Sequence, residues 1–310
     1  MELSYFIVDV FTRTPLEGNA LAVVMHTGDL ATAQMQAIAR EFNLSETTFV
    51  ERRPAAIEAA EGVRVRIFTT AEELPFAGHP TLGTASVLKL HAPDLQGRQT
   101  ITLHLNVGPV PVRFTDDGLS GDCAYGTMTQ RDPEFGAWLE PEDVARLTGL
   151  EPEDLDGALP PRVVSTGIAQ AIVVLKSHAA LARLKVNQQQ ATDWLRERGG
   201  RWFYVIAPER TSPSPPAAAA SSSQPLCWRA RMQFYGGEDP ATGSAAGCAI
   251  SYLVERGAVA SGSQVHLRQG VEIHRPSDLY LSAKYDSEKV SEVRVGGSTV
   301  LVAKGTLFLP

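Results

Sequence analysis

Three ionisable residues sit where proton transfer could be arranged: Glu46, His79 and Asp239. The last two head two copies of one pattern. The first copy is His79-Pro80-Thr81-Leu82-Gly83-Thr84-Ala85. The second is Asp239-Pro240-Ala241-Thr242-Gly243-Ser244-Ala245, 160 residues further on (239 − 79), about half the chain. Pro suits the first turn of a helix because it has no N–H to leave unpaired. Gly and Ser/Thr let the next amides approach a ligand, and a helix N-terminus offers bare N–H groups to an anion. Each copy is therefore expected to be an anion-binding helix start with a titratable side chain just before it. Helical periodicity follows both, through Thr84, Val87, Leu88 and Leu90, and through Ala249, Ile250, Leu253 and Val254. A motif duplicated at half-chain separation predicts two similar lobes, each giving half of a shared site.

Glu46 follows Asn43-Leu44-Ser45 and precedes an apolar strand. Its carboxylate is expected to be partly desolvated, which raises its pKa and makes it a usable proton shuttle. A surface Glu or a helix-cap partner would have the same neighbours. His79 follows Gly78, which lets the backbone approach a ligand, and its imidazole is expected to titrate near neutrality; a capping or core histidine is the alternative. An Asp before Pro can equally be an N-cap, and Glu238 is a second candidate acid beside Asp239. Asp9 and Asn19 could touch ligand, or serve as a structural acid and a turn residue.

Other chemistries lack their signatures. Neither His-x-x-x-His nor Cys-x-x-Cys occurs, so no metal site is expected. Gly-x-Gly-x-x-Gly and the phosphate-binding Gly-x-x-x-x-Gly-Lys-Ser/Thr are absent, so no nucleotide cofactor is expected. Ser45 and Ser244 stand outside any Gly-x-Ser-x-Gly. Cys123, Cys227 and Cys248 are odd in number and widely spaced, which suits a reducing compartment.

The elements that must position these residues belong to a chain of 310 residues, 44% apolar and 20% charged, enough for two ordinary domains with a sizeable core. Net charge is −7 and no Lys/Arg cluster is dense enough for a phosphate backbone, so nucleic acid is set aside. No apolar run spans a membrane, and the first residues enter a strand pattern directly. A cytoplasmic protein acting on a small molecule is expected. Strands are predicted at Tyr5–Phe11, Ala20–Met25, Ser45–Val50 and Val63–Ile67, with a helix over Ala31–Phe42 stopped by Asn43. A hairpin follows at 100–114, its second strand on a sheet edge because of Pro109 and Pro111. The first lobe reads as a sheet wrapped on one long helix, spanning 1–120 with a final strand, about 299–310, returning to it.

The second lobe is expected over 121–298, opening with a crossover from about 118 to 133. Strands are predicted at Arg162–Ser165, Ala171–Leu175, Trp202–Ala207 and Cys227–Phe234, and helices at Pro141–Leu147 and Gln188–Arg198. Gly167 to Val174 weakly echoes Gly18 to Val24. Strands at Gln264–Leu267, Val271–His274, Asp278–Lys284, Glu292–Val295 and Thr299–Leu309 complete the chain. Residues 211–224 are Ser-, Pro- and Ala-rich and expected to be a disordered, dispensable loop.

Several stretches together resemble the phenazine-biosynthesis isomerase (PhzF-like) family. They are Phe6-Ile-Val-Asp-Val-Phe-Thr with Gly18-Asn19-Ala-Leu-Ala-Val-Val, then Asn43-Leu-Ser-Glu46-Thr, and Pro75-Phe-Ala-Gly78-His79-Pro. Gln269-Gly270-Val-Glu-Ile and above all Glu238-Asp239-Pro-Ala-Thr-Gly-Ser-Ala complete the set. The resemblance runs from about residue 5 to the C-terminus. It implies the α+β fold of the diaminopimelate epimerase superfamily: two pseudo-symmetric lobes, each a curled, mostly antiparallel sheet around a central helix, with the site in the cleft between them. It implies that Glu46 moves a substrate proton, with His79 and Asp239 as catalytic partners. Gly78, Asn19 and Ser45 would line the substrate, and the Gly243 and Ser244 amides would hold its carboxylate. No cofactor and a homodimer are implied. Related epimerases and proline racemases carry cysteines where this chain has His79 and Asp239, which argues against a two-thiol racemase. The departures are Gly236-Gly237 and the 211–224 insertion. The expected function is a cofactor-independent isomerase of a small carboxylated, amino-acid-like compound. An amino-acid racemase or epimerase, or a binding protein that has lost the chemistry, are the alternatives.

Overall fold

In a computed structural model, residues 1–28, 30–115, 121–209, 226–234 and 237–309 are described; the 211–224 segment and Gly236 lie outside them. The chain divides into two compact units. Unit 1 is Met1–Thr129 with His274–Asp278 and Val295–Pro310, and unit 2 is Gln130–Ile273 with Leu279–Arg294.

In unit 1 the strand order is Glu2–Val10, Asn19–Met25, Glu46–Glu51, Val63–Phe68, Thr100–Leu105, Gly108–Thr115, Cys123–Thr129. The far part of the long strand Lys289–Phe308 then pairs back to Glu2–Val10 and closes the sheet. Most neighbours are antiparallel. Two pairs are parallel: Asn19–Met25 with Glu46–Glu51, and Val63–Phe68 with Thr100–Leu105. A parallel pair needs a crossover. The first is the helix Thr32–Phe42, which buries Met35, Ile38 and Ala39. It stops at Asn43, whose φ of 51° is left-handed and whose N–H returns to Ala39 O. The second is the helix Gly78–His91, buried on every side from Gly78 to Leu88. Leu82, Val87 and Leu88 lose all or nearly all contact with solvent, worth roughly 1.5–3 kcal/mol each. Gly83 makes this close approach possible: a Cβ there would lie 2.6 Å from Leu21 and 2.7 Å from Val10.

Unit 2 repeats the plan. Its order is Ser277–Asp286, Val265–Gln269, Leu226–Arg231, Trp202–Pro208, Ala169–Val174, Arg162–Ser165, Glu134–Trp138. Its parallel pairs are Ala169–Val174 with Trp202–Pro208, and Leu226–Arg231 with Val265–Gln269. The second of these is bridged by the helix Gly243–Glu255, buried from Gly243 to Val254. Val173, Phe203 and Val205 face the helices Pro141–Thr148 and Gln188–Glu197 in one apolar cluster. Both faces of these strands are covered, so they read as unbroken apolar runs. The echo of Gly18–Val24 in Gly167–Val174 has a structural counterpart, since each leads into the first strand of a parallel pair. The fold is α+β, with a mostly antiparallel sheet around a central helix in each unit.

Four expectations change. Gly108–Thr115 is not an edge strand, because Val112 to Thr115 also pair with Tyr125 to Met128; Pro109 and Pro111 occupy the half with no second pairing. The supposed crossover contains the strand Cys123–Thr129. Val271–Ile273 is a single 3₁₀ turn, since Gly270 at φ 76° ends the preceding strand. The two last strands are one, Lys289–Phe308, running through Gly296-Gly297. No described helix is long and apolar enough to cross a membrane.

Candidate active site

Unit 1 brings together Glu46, His79 and Asn19. The Thr32–Phe42 helix and its left-handed stop deliver Glu46 to the first position of its strand, beside Leu21. His79 is the second residue of its helix, not the residue ahead of it. Its Nε2 lies 3.4 Å from Glu46 Oε2, with the two side chains 5% and 16% exposed. Its Nδ1 lies 3.2 Å from the Asn19 amide nitrogen. Burial pushes the imidazole down to about 3, so His79 is neutral at physiological pH. The expectation that it titrates near neutrality does not hold, because it is walled in on all sides. Ser45 is half-buried just ahead of Glu46, and Gly78 opens the helix, buried.

The first motif is not an anion-binding start at its Gly-Thr. Gly83 and Thr84 lie well inside the helix, where their amides belong to the ladder. Thr84 instead meets the Thr48 hydroxyl at 2.8 Å. Asp9 takes the structural role: it accepts from Arg275 and from the Leu16 N–H, each at 2.6 Å, and so pins the 11–18 loop.

In unit 2 the second helix begins at Gly243 and Thr242 is its cap residue, so Asp239 does not cap it. The first backbone bond of the helix runs from Ala246 N to Thr242 O. The Gly243 and Ser244 amides therefore precede the ladder and point out of the helix start. Asp239 is half-buried and accepts from the Thr242 hydroxyl at 2.6 Å. Glu238, the rival acid, is clamped by Arg231 through two bonds of 2.9 and 2.6 Å. That Arg also donates to Leu181 O and Ala182 O, so Glu238 is held as part of the scaffold.

The sequence reading missed the polar frame beneath this motif. Gln269 donates to Asp239 O at 2.8 Å and to the Thr242 hydroxyl at 3.0 Å. Its Oε1 accepts from Thr242 N and from the Tyr204 hydroxyl. Gln130 donates to Gly243 O at 2.8 Å and accepts from Thr166 at 2.6 Å. Gln269 stood in a quoted motif without a role; Gln130 gave no signal at all, being 113 residues from its partner.

Burial raises all three thiols, Cys248 to about 11. None lies in either motif. Among the described residues no cluster of His, Cys, Asp and Glu could hold a metal ion.

Residues 8–305 match a family described as phenazine biosynthesis-like protein. A trans-2,3-dihydro-3-hydroxyanthranilate isomerase of Pseudomonas chlororaphis is 33% identical over 308 residues, covering 98% of this chain and 99% of the relative. The structure of a predicted epimerase from Pseudomonas aeruginosa is 35% identical with a TM-score of 0.79, over 99% of this chain and 100% of the other. A PhzF family protein of Bacillus anthracis is 26% identical with a TM-score of 0.83, covering 100% of both chains.

Proposed function

The chain belongs to the phenazine biosynthesis-like (PhzF) family and is an isomerase, and from that premise we propose that it moves a proton within a small carboxylated, amino-acid-like substrate without a cofactor. Glu46 is the acid/base. The observation that carries this reading is the half-buried Glu46 carboxylate 3.4 Å from the nitrogen of a histidine held neutral. A carboxylate away from bulk water and beside a neutral donor can take a proton and return it. Asp239 steers the substrate's polar groups, and the Gly243 and Ser244 amides bind its carboxylate. Asn19, Ser45 and Gly78 complete the binding set in unit 1. The division into lobes at about residue 120, a homodimeric state and a cytoplasmic location belong to the same proposal.

A racemase that works from both faces needs a second base. The strand position in unit 2 that matches Glu46 offers none. Glu46 opens the first parallel pair of unit 1 opposite Leu21, and the matching position in unit 2, opposite Gln170, is Trp202. Arg201 stacks on that indole at 4.2 Å. A pure binder, in turn, has no use for a desolvated acid at a strand start.

The test uses trans-2,3-dihydro-3-hydroxyanthranilate, the compound in the relatives' name, in D₂O. The wild type is expected to leave deuterium at a substrate carbon. Glu46→Gln, nearly isosteric, is expected to lose incorporation by about 10²–10⁴-fold. Undiminished labelling by the Gln variant removes Glu46 from the mechanism. No labelling by the wild type with this compound rejects it as the substrate.

A further inference from the structure

Asn19 carries a site role so far only as a substrate contact, yet its side chain is 1% exposed and its amide nitrogen lies against His79 Nδ1. We infer that Asn19 is a positioning residue that locks His79 as the Nε2–H tautomer, so that the imidazole serves Glu46 as a fixed neutral donor and never as a proton carrier. This rests on the reading of Glu46 as the acid/base.

Three features combine. The Nε2 edge faces a carboxylate oxygen, which can only accept. A neutral imidazole carries one N–H, and the contact with Glu46 is attractive only if that hydrogen is on Nε2. Nδ1 then has a lone pair and needs a donor, which the Asn19 amide supplies at 3.2 Å. The burial that holds His79 near 3 removes the imidazolium alternative. The ring orientation is fixed from both ends: Asn19 opens its strand, paired to Val10, and His79 lies on the buried helix behind it. Which ring nitrogen carries the proton is set by what the other bonds to.

The proposal separates His79 from the titrating pair. Of the pair, Glu46 is the proton carrier, and His79 Nε2 faces its Oε2 at 3.4 Å. An acceptor at position 19 would force the hydrogen to Nδ1. The Nε2 lone pair would then confront the Glu46 carboxylate, with every heavy atom still in place.

The experiment is a long-range ¹H–¹⁵N spectrum of the full-length protein with ¹⁵N-labelled histidine, the His79 signals being those lost in His79→Gln. The wild type is expected to show an unprotonated Nδ1 and a protonated Nε2 throughout the neutral range. Asn19→Asp is expected to reverse the pattern and to lower kcat about 10–100-fold with a smaller change in KM, in line with the loss of an orienting partner. Asn19→Ala should leave a mixture of tautomers and an intermediate kcat. A protonated Nδ1 in the wild type overturns the proposal, as does Asn19→Asp with unchanged tautomer or unchanged kcat. The spectra need no substrate. The expected tautomers alongside a Glu46→Gln variant that still exchanges label would therefore overturn the acid/base reading and leave the tautomer lock standing.

Discussion

Gly247 lies in the middle of the second motif helix, where replacing glycine by alanine ordinarily stabilises by about 1 kcal/mol. The opposite is expected here. A Cβ on Gly247 would overlap Gln130 Oε1 outright and lie 2.6 Å from its Cδ. A flexible amide can swing aside cheaply when nothing holds it. This one is 7% exposed, donates to Gly243 O and accepts from Thr166. Thr166 can redirect its hydroxyl toward Ser244 O, already at 3.4 Å. Gly243 O and the displaced amide have no such recourse, and each buried orphan costs about 1–3 kcal/mol. With the helical gain subtracted, Gly247→Ala is expected to destabilise by about 1–3 kcal/mol. Urea unfolding reads this as a lower midpoint at unchanged slope. In Gln130→Ala, whose amide is already gone, adding Gly247→Ala should cost nothing more. A Gly247→Ala protein as stable as the wild type, or a cost that persists in the Gln130→Ala background, refutes the reasoning.

Other expectations follow from the same geometry. His79 refuses a proton that the unfolded chain accepts below about 6.5, so its contribution is complete above that pH and erodes toward 3, by up to roughly 1.4 kcal/mol per pH unit. Stability measured against pH should fall less steeply in His79→Gln, and an unchanged slope would show that another group governs the acid limb. Glu238→Gln should lower stability, because it weakens the pair with Arg231, while keeping measurable turnover. Asp239→Asn should do the reverse, and variants with these phenotypes exchanged would mean the acid was chosen wrongly. Replacing Cys123, Cys227 and Cys248 together by Ser or Ala should preserve turnover, with some packing loss at buried Cys248. Loss of turnover in a still-folded triple variant would require a thiol in the reaction.

Local chemistry made much of the fold readable. Asn43 ends a helix because it tolerates a left-handed φ, and that signal lies in a single residue. The duplicated motifs were visible because Pro and Gly mark helix starts by type and spacing. Their inequivalence was not. His79 lies inside its helix while Asp239 stands four residues ahead of the other, and only packing decides where a first turn closes. The Asn19–His79 contact spans 60 positions, and nothing local in either residue announces the other. Gly296-Gly297 read as a break between strands, whereas the strand continues. A Cβ at Gly297 would collide with the Phe11 ring and lie 3.2 Å from Asp278 O, so the glycine there answers to crowding.

The closure of the unit 1 sheet has a consequence for how the molecule is made. Glu2–Val10 pairs on one side with Asn19–Met25, available almost at once, and on the other with residues 299 to 308. A ribosome delivers the second partner only after the whole of unit 2 has emerged. Unit 2 is nearly continuous in sequence, from Gln130 to Ile273. Unit 1 therefore begins before unit 2 and is completed after it. Until then one side of Glu2–Val10 offers its backbone groups to any strand that passes, and the arrival of Thr299 to Phe308 withdraws that offer.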